Sequence, residues 1–497
     1  MAVRIGRAAR LRRAARGRAG IVGLALALYV VAGIYAASPA LGDAGSHFLG
    51  YGKPVEGRVT PGDHLQAAYN LWLPGHQLAR GAAPWLDPYS FQPIAAERVN
   101  FAGWPFAIAF GPLQALFGTV GGWNLFALLT YVGAGGFAAL WLRALGLPPG
   151  AAIVGGLAFA LAPYRSLQTA GGHLLGPISM LLPLSLWAVE RRRTLLAAAA
   201  IASIPLSGQV HLSLGAIPFF LAYAAARRDG PSNRLLLGLS GAAGAVGAGL
   251  LVYVVSIRGT TGASGRSFSE VEKYSAELLD FVTRHSRHGF ETFVFLGWLT
   301  PVVAVAGLVL LARRDRGLAL VLGLGVLVPI VLAVGANTPL YEPLWETLPG
   351  LGESRVPGRF LPIASLCLAA LVAVVVSRLQ WRYAAVGAAI LLAADLRVDT
   401  YDALVADEDN AVYASIPDGG RLLEIPPYPP DRFENSVYLY YAIQSPHERP
   451  LGYSTTAPRQ ADRIVRLFDE PQLIRELGVR HVVQFREGRP VRYIPIE

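Results

Sequence analysis

Long apolar runs alternate with short arginine-rich connections over the first 396 residues of this chain. Runs such as residues 21–41, 235–256 and 361–376 are long enough, or nearly so, to cross about 30 Å of hydrocarbon as helices. Arginine clusters follow alternate runs: Arg191, Arg192 and Arg193; Arg227 and Arg228; Arg313, Arg314 and Arg316; Arg378 and Arg382. Because such clusters stay on the cytoplasmic side, the pattern predicts a polytopic α-helical membrane protein whose large polar segments face outward.

About eleven spans are expected. They cover residues 20–41, 120–142, 149–163, 174–189, 194–206, 210–226, 235–256, 293–312, 317–335, 361–377 and 383–396. Residues 101–117 are not counted as a span, because a span there would move every later loop to the opposite side of the membrane. Pro105 and Pro112 favour a juxtamembrane or re-entrant helix there. Residues 1–19 form a basic cytoplasmic N-terminus; a signal peptide fits the same pattern, but the first apolar run is too long for a signal core.

Composition supports the membrane interpretation. With 53% hydrophobic and 15% charged residues, a soluble protein would have too much apolar surface to bury. Much of the net charge of +10 lies just before the first span, where it orients the chain and contacts anionic membrane lipids, so no nucleic-acid partner is expected. The single cysteine, Cys367, lies in an apolar run, which excludes disulfides and cysteine metal sites.

This topology predicts a membrane domain of residues 20–396 with outer loops at 42–119, 257–292 and 336–360. Residues 397–497 follow as a small extracytoplasmic α+β domain. Its expected elements are a strand at 422–425, a helix at 462–477, and a hairpin of 481–485 and 491–494 that turns at Glu487 and Gly488. The expected location is a bacterial plasma membrane, with the N-terminus in the cytoplasm and the C-terminus outside.

The first outer loop holds the strongest chemical candidates. Asp63 and His64 follow a Pro-Gly turn, and residues 65–73 predict a short amphipathic helix. Asp63 could be a general base for an acceptor hydroxyl, a ligand for a divalent metal such as Mg or Mn, or simply a helix N-cap. Residues 81–91 add Trp85, Asp87 and Tyr89, which suit either a sugar site or interfacial anchoring.

Other outer residues extend the candidate site. Five histidines are expected outside or at outer helix ends: His64, His173, His211, His285 and His288. The spacing from His285 to Glu291 fits a helical metal face or a solvated loop. Arg355 and Arg359 stand just before a span, where guanidinium groups can hold phosphate oxygens by paired hydrogen bonds. Snorkelling toward lipid headgroups is the alternative role for both arginines.

The order of these motifs resembles the GT-C superfamily of polytopic glycosyltransferases, in particular bacterial membrane proteins similar to YfhO and relatives of the protein mannosyltransferases. The resemblance rests on Asp63 and Gln66, on residues 81–91 with Asp87 where asparagine is usual, on His173, on Leu182, Pro183, Glu190 and Arg191, on Gly208 and His211, on residues 274–281, on Leu296 and Gly297, and on residues 355–360. It covers nearly the whole chain, although each motif is short.

The resemblance implies inverting transfer from a polyprenyl-phosphate-linked sugar to a glycan, lipid or protein acceptor on the outer face, with Asp63 as the catalytic base. The implied substrate-binding residues are His64, Gln66, Trp85, Asp87, Tyr89, His173, His211, Arg266, Tyr274, Glu291, Arg355 and Arg359. A lipid-linked sugar flippase or transporter is the alternative, disfavoured because no Asp, Glu, Lys or Arg lies near the middle of an expected span. A noncatalytic glycan-assembly protein is a third possibility.

Overall fold

The computed structural model describes residues 2–95, 98–227, 231–256, 267–381, 383–454 and 457–496. Sixteen helices precede residue 397 in these segments. They are α1 (Ala2–Ala37), α2 (Asp63–Ala79), α3 (Ala107–Ala144), α4 (Pro149–Ala160), α5 (Pro163–Ala170), α6 (Leu175–Ile178), α7 (Leu181–Glu190), α8 (Thr194–Leu206), α9 (Val210–Ala226), α10 (Pro231–Ser256), α11 (Phe268–Tyr274), α12 (Leu299–Ala312), α13 (Arg316–Val334), α14 (Tyr341–Thr347), α15 (Leu361–Val376) and α16 (Ala384–Leu396).

Each expected membrane span coincides with an apolar helix, but the helices differ in length. Four segments of the described chain are long and apolar enough to cross a membrane: Ala19–Ala37, Ala107–Ala144, Arg316–Asn337 and Pro357–Val376. The pair α4 and α5 would form a fifth, bent by 46°. The remaining expected spans are apolar helices of 10–17 residues. The count of about eleven spans therefore stays a prediction.

Helix α3 contains a sharp break that bears on residues 101–117. Gly118 has φ 73°, a left-handed conformation that a residue with a side chain rarely adopts. The chain folds back there, so that a Cβ on Gly122 would lie 3.0 Å from the backbone of Gln114. The Glu408 side chain accepts hydrogen bonds from the N–H groups of Thr119 and Val120, as at a helix start. Residues 107–117 therefore form a separate helical arm, and its re-entrant placement stays a prediction.

The bend between α4 and α5 buries an arginine that the expected spans do not include. Pro163 begins α5, and the Arg165 side chain is fully buried. Its guanidinium donates hydrogen bonds to the carbonyls of Ala160, at the end of α4, and Thr130 of α3. If α4 and α5 cross the membrane as one bent segment, Arg165 is a charged residue within that segment, beyond the expected span of residues 149–163. Arg165 nevertheless has a structural explanation, because it satisfies backbone carbonyls at a broken helix.

Helix α15 lies at the centre of the bundle. In the apolar stretch of the segment Pro357–Val376, 83% of the residues are buried. In the corresponding stretch of α1, 22% are buried. Peripheral helices instead expose large apolar side chains, among them Leu24, Leu195, Val302, Leu320 and Ile390. This distribution suits a bundle whose outer surface contacts lipid rather than water.

Beyond residue 396 the described residues form four short helices and most of the β-structure. These elements are β2 (Asp402–Val405), α17 (Ala411–Ala414), β3 (Arg421–Ile425), α18 (Glu434–Gln444), α19 (Ala461–Leu467), α20 (Pro471–Glu476), β4 (Val479–Arg486) and β5 (Arg489–Pro495). Strand β3 pairs in parallel with β4, which pairs antiparallel with β5. The expected hairpin turns at Glu487 and Gly488, both with positive φ. The expected helix at 462–477 is two helices, because Pro471 begins a new one.

The tail and the first outer loop are joined by contacts that the sequence pattern did not predict. Strand β1 (His47–Gly50) pairs antiparallel with β2 of the tail. The Asn124 side chain of α3 accepts a hydrogen bond from the Leu49 N–H and donates to the carbonyls of Ala44 and His47. At the start of α2, the Gly62 N–H donates to the Ser436 hydroxyl of α18. These contacts bring residues of the tail next to Asp63.

Candidate active site

Asp63 is the first residue of α2, and its carboxylate lies between two donors from distant parts of the chain. His173 Nε2 lies 3.0 Å from Oδ2 of Asp63 and donates a hydrogen bond to it. The Tyr453 hydroxyl donates to Oδ1. Gly62 occupies the N-cap position, and as a glycine it has no side chain with which to cap the helix. The N-cap interpretation of Asp63 is therefore wrong, and both oxygens instead face a site between α2, the 171–173 turn and the tail.

The turn before α6 sets the position of His173. Gly172 has φ 81°, and a Cβ there would overlap the backbone of Asp63 and His64. The other ring nitrogen of His173, Nδ1, lies 2.7 Å from the Gln168 side-chain oxygen of α5. The imidazole is thus held on both sides, which fixes the direction of its hydrogen bond to Asp63.

Electrostatics keep Asp63 ionised. Burial acts to raise the pKa of Asp63, but the hydrogen bond and charge of His173 and the hydrogen bond of Tyr453 outweigh it and hold the pKa below its usual value of 3.8. Asp63 is a carboxylate at neutral pH. It can accept a proton from a hydroxyl only when that hydroxyl is made more acidic by bond formation in the transition state.

An ion pair, Arg359 with Glu291, lies near the Asp63 carboxylate. Arg359, which precedes α15, donates from Nη2 to Oε1 of Glu291 over 3.2 Å. Burial acts to raise the pKa of Glu291, but Arg359, followed by His173, lowers it below its usual value. Phe290 packs edge-on against the His173 ring, with centroids 5.0 Å apart. The Arg359 and Glu291 pair is therefore adjacent to the imidazole that holds Asp63.

Arg355 supplies a more accessible positive charge. It lies 3.9 Å from Glu270, and its side chain is 28% exposed. Its guanidinium carbon is 5.7 Å from the ring centroid of Tyr274, at the end of α11. The charge of Arg355 acts on both Glu291 and Tyr453. Arg355 is less tightly paired than Arg359, so it has more capacity to hold an added anion.

Several predicted site residues gather in this cluster. His173, Glu291, Arg355, Arg359 and Tyr274 lie around Asp63 or its partners, and the Gln66 amide donates to the carbonyl of Tyr453. His64 lies next to Asp63 but is buried. His211 is at the start of α9. Arg266 lies outside the described residues, so its predicted role stays a prediction.

The segment 81–91 has mainly structural contacts. Asp87 is buried and accepts hydrogen bonds from the Tyr69 hydroxyl and the Tyr89 N–H. The Tyr89 hydroxyl is 2.8 Å from His76, and Trp85 is exposed and stacks on Phe101. At the end of the segment, the Phe91 N–H donates to the carbonyl of Leu451 in the tail, and the N–H of the next residue, Gln92, donates to the carbonyl of Arg449. These contacts support the tail segment that carries Tyr453, and the proposed sugar contacts of Trp85, Asp87 and Tyr89 stay a prediction.

The donor set does not fit a metal centre. In the described segments, no group of three or more His, Cys, Asp or Glu side chains is close enough to hold a metal ion. Asp63 is bound by His173 and Tyr453, while His288 lies 3.5 Å from Glu277 and Glu291 pairs with Arg359. Residues 283–289 are not helical. The spacing from His285 to Glu291 therefore does not form the helical metal face.

Two aromatic residues of the cluster were missed by sequence reasoning. Tyr453 follows Asp63 by 390 positions, and no motif marks it. Tyr164, in α5, is fully buried within electrostatic range of Glu291 and Arg359, and its hydroxyl has no hydrogen-bond partner in the described part of the chain. Pro163 beside Tyr164 was a signal for a helix start, but nothing in the sequence pointed to its burial at the site.

Neither a family model nor a curated protein matches the sequence. Solved structures do match the fold. The cryo-EM structure of the arabinofuranosyltransferase AftD from Mycobacteria has a TM-score of 0.56 and 17% identity, covering 95% of this chain and 36% of that chain. A mutant of AftD matches with a TM-score of 0.53 and 19% identity, covering 93% of this chain and 36% of that chain. The Archaeoglobus fulgidus oligosaccharyltransferase matches with a TM-score of 0.47 and 12% identity, covering 92% of this chain and 69% of that chain.

The matches to AftD show the fold but not the reaction. The similarity to AftD extends over nearly all of this chain, which shows that the two proteins share a fold over that length. The chain spans only about a third of the length of AftD.

Proposed function

We propose that this protein is a membrane glycosyltransferase that moves a sugar from a polyprenyl-phosphate donor to an acceptor hydroxyl on the outer face of the membrane. The observation that carries the proposal is the Asp63 carboxylate, held by His173 and Tyr453 beside Arg355 and the Arg359 and Glu291 pair. A base and a cationic group at one site are what this reaction requires. The GT-C fold and the name of its neighbour, an arabinofuranosyltransferase, support the reaction class.

In the proposed reaction, Asp63 accepts the proton of the acceptor hydroxyl while the acceptor oxygen attacks the anomeric carbon of the sugar. The bond from that carbon to the phosphate oxygen breaks, and its electron pair leaves with the polyprenyl phosphate. Attack opposite the leaving group inverts the configuration at the anomeric carbon. Arg355 stabilises the charge that develops on the phosphate, because its guanidinium is accessible and lies within electrostatic range of Tyr453.

Arg359 has a different role in this proposal. Its charge is shared with buried Glu291, so it adds less net positive charge than Arg355. Holding Glu291 ionised beside His173 orients the imidazole that in turn holds Asp63. The sequence-based hypothesis that both arginines grip phosphate is thus refined, with Arg355 as the principal phosphate ligand and Arg359 as a supporting one.

A direct test is incubation of the purified protein in nanodiscs with a panel of polyprenyl-phosphate sugars, polyprenyl-phosphate arabinofuranose among them. We expect release of polyprenyl phosphate from one member of the panel in the presence of an oligosaccharide acceptor. Movement of intact donor across proteoliposomes without such release would instead favour a flippase. Absence of both would favour a noncatalytic assembly protein.

A further inference from the structure

Both oxygens of Asp63 are occupied, but the two partners differ in how firmly they are held. His173 is fixed by Gln168 on its far side and by the Gly172 turn behind it. Among the described residues, the Tyr453 hydroxyl has one hydrogen-bond partner, Asp63. The Tyr453 backbone is fixed separately, because its carbonyl accepts a hydrogen bond from Gln66. Tyr453 is 8% exposed, so displacing its hydroxyl from Oδ1 requires the side chain to shift against its packed neighbours, Phe433 among them.

The Tyr453 hydroxyl stands where a substrate proton donor must stand if Asp63 is a general base. Such a donor is a neutral O–H group within hydrogen-bond distance of the carboxylate. Burial and the neighbouring Asp63 charge raise the pKa of the Tyr453 phenol, so it keeps its proton and acts on Asp63 only as a donor. It competes with any acceptor hydroxyl for Oδ1.

The surface next to Tyr453 suits one class of acceptor. Phe433 is 54% exposed, and its ring centroid lies 6.1 Å from that of Tyr453. The flanking Arg432 and Glu434 are paired over 3.2 Å, and Arg432 is well exposed. An exposed aromatic face edged by hydrogen-bonding groups fits a sugar ring, which has apolar C–H faces and hydroxyls around its edge.

From this arrangement we infer that the tail forms the acceptor site, that the acceptor is a carbohydrate, and that the Tyr453 hydroxyl occupies the position of the reacting acceptor hydroxyl until the acceptor displaces it. The inference rests on the proposed function. One sugar of the acceptor packs on Phe433, and its hydroxyl replaces the Tyr453 hydroxyl at Oδ1 of Asp63. The tail would then select the acceptor, while the membrane helices and Arg355 hold the donor.

The test uses Tyr453→Phe, which keeps the ring and removes the hydroxyl. In nanodiscs with the donor that the wild type uses, we expect the acceptor KM to fall roughly threefold to tenfold, because one competing hydrogen bond is gone. Without acceptor, transfer of the sugar to water, measured as release of polyprenyl phosphate, should rise by a similar factor. Phe433→Ala should raise the acceptor KM. Tyr438→Phe is the matched control, since it removes a tail hydroxyl that donates to the Pro426 carbonyl instead.

Opposite results would overturn the inference. They are an unchanged acceptor KM with unchanged release to water in Tyr453→Phe, a fall in kcat alone, or use of a peptide or lipid acceptor in place of oligosaccharides. If no donor is turned over, the proposed function fails separately. Saturation-transfer NMR with arabino-oligosaccharides then decides: binding that strengthens in Tyr453→Phe and is lost in Phe433→Ala supports the acceptor site, and absent binding overturns it.

Discussion

His64 shows how two adjacent residues can differ in role. It follows Asp63 directly, yet its side chain is buried, and its ring packs edge-on against Phe48 with centroids 5.3 Å apart. Nε2 has no hydrogen-bond partner among the described residues. Burial lowers the pKa of His64 to about 4, although the Asp63 charge opposes the shift. The imidazole is therefore neutral at physiological pH, and a direct role in substrate binding is disfavoured.

This burial predicts a pH-dependent stability. The pKa of His64 is lower in the folded than in the unfolded state, so its contribution is fully present above pH 6.5 and is lost as the pH falls toward 4. The expected loss over that window is about 3 kcal/mol. Thermal unfolding in detergent between pH 8 and 4 measures it, and His64→Gln should flatten the decline. A decline of equal steepness in both proteins would contradict the burial argument.

At the residue scale, the sequence pointed to Asp63 and to several of its neighbours, but not to how those residues are arranged around it. A Pro-Gly turn followed by an acid is a local signal, and Asp63 was found from it. The partners His173 and Tyr453 are 110 and 390 positions away, and Glu291, beside His173, is 228 positions away. Only packing decides such distant contacts. The buried state of Asp87 was missed for the same reason, because exposed and buried carboxylates are identical in sequence.

Among the elements, the 171–173 turn is the one on which the site most depends. Gly172→Ala would place a Cβ against the backbone of Asp63 and His64 at a φ of 81°. We expect transfer to fall by roughly tenfold or more, because small misplacements of a catalytic group are costly. Gly146→Ala is the matched control: Gly146 also has positive φ, at 87°, but nothing lies within 4 Å of its Cβ position. Donor turnover in nanodiscs measures both variants, and equal losses would contradict a specific role for the turn.

Elements with strong local signals were predicted well. The β4 and β5 hairpin turns where predicted, at Glu487 and Gly488, of which the glycine readily accepts positive φ, and apolar runs mark the bundle helices. The β1 and β2 pairing was missed because each strand has only four residues and its partner is far away in sequence. The break in α3 was missed because Gly118 resembles any other glycine of an apolar helix until its φ is known.

At the scale of the whole molecule, orientation in the membrane is the main untested prediction. Arg227 at the expected cytoplasmic end is held by Glu190 and Asp315, over 2.8 and 3.3 Å, which joins the ends of α7, α9 and α13. Cysteines at Thr194 and Ser269, both exposed, mark the two sides in a Cys367→Ala background. An impermeant thiol reagent added outside whole cells should label only position 269. Labelling at position 194 alone would invert the topology and place Asp63 in the cytoplasm.

The proposed glycosyl transfer depends on Asp63 as its general base. Asp63→Asn keeps the size of the side chain but removes the basic carboxylate, and its amide keeps one acceptor oxygen where Asp63 offers one oxygen to His173 and the other to Tyr453. The deciding measurement is the rate of polyprenyl phosphate release by this variant in nanodiscs, with the donor and acceptor that the wild type uses. A fall of roughly 10²-fold or more, with protein yield unchanged, is the predicted result. Turnover close to the wild-type rate would contradict it.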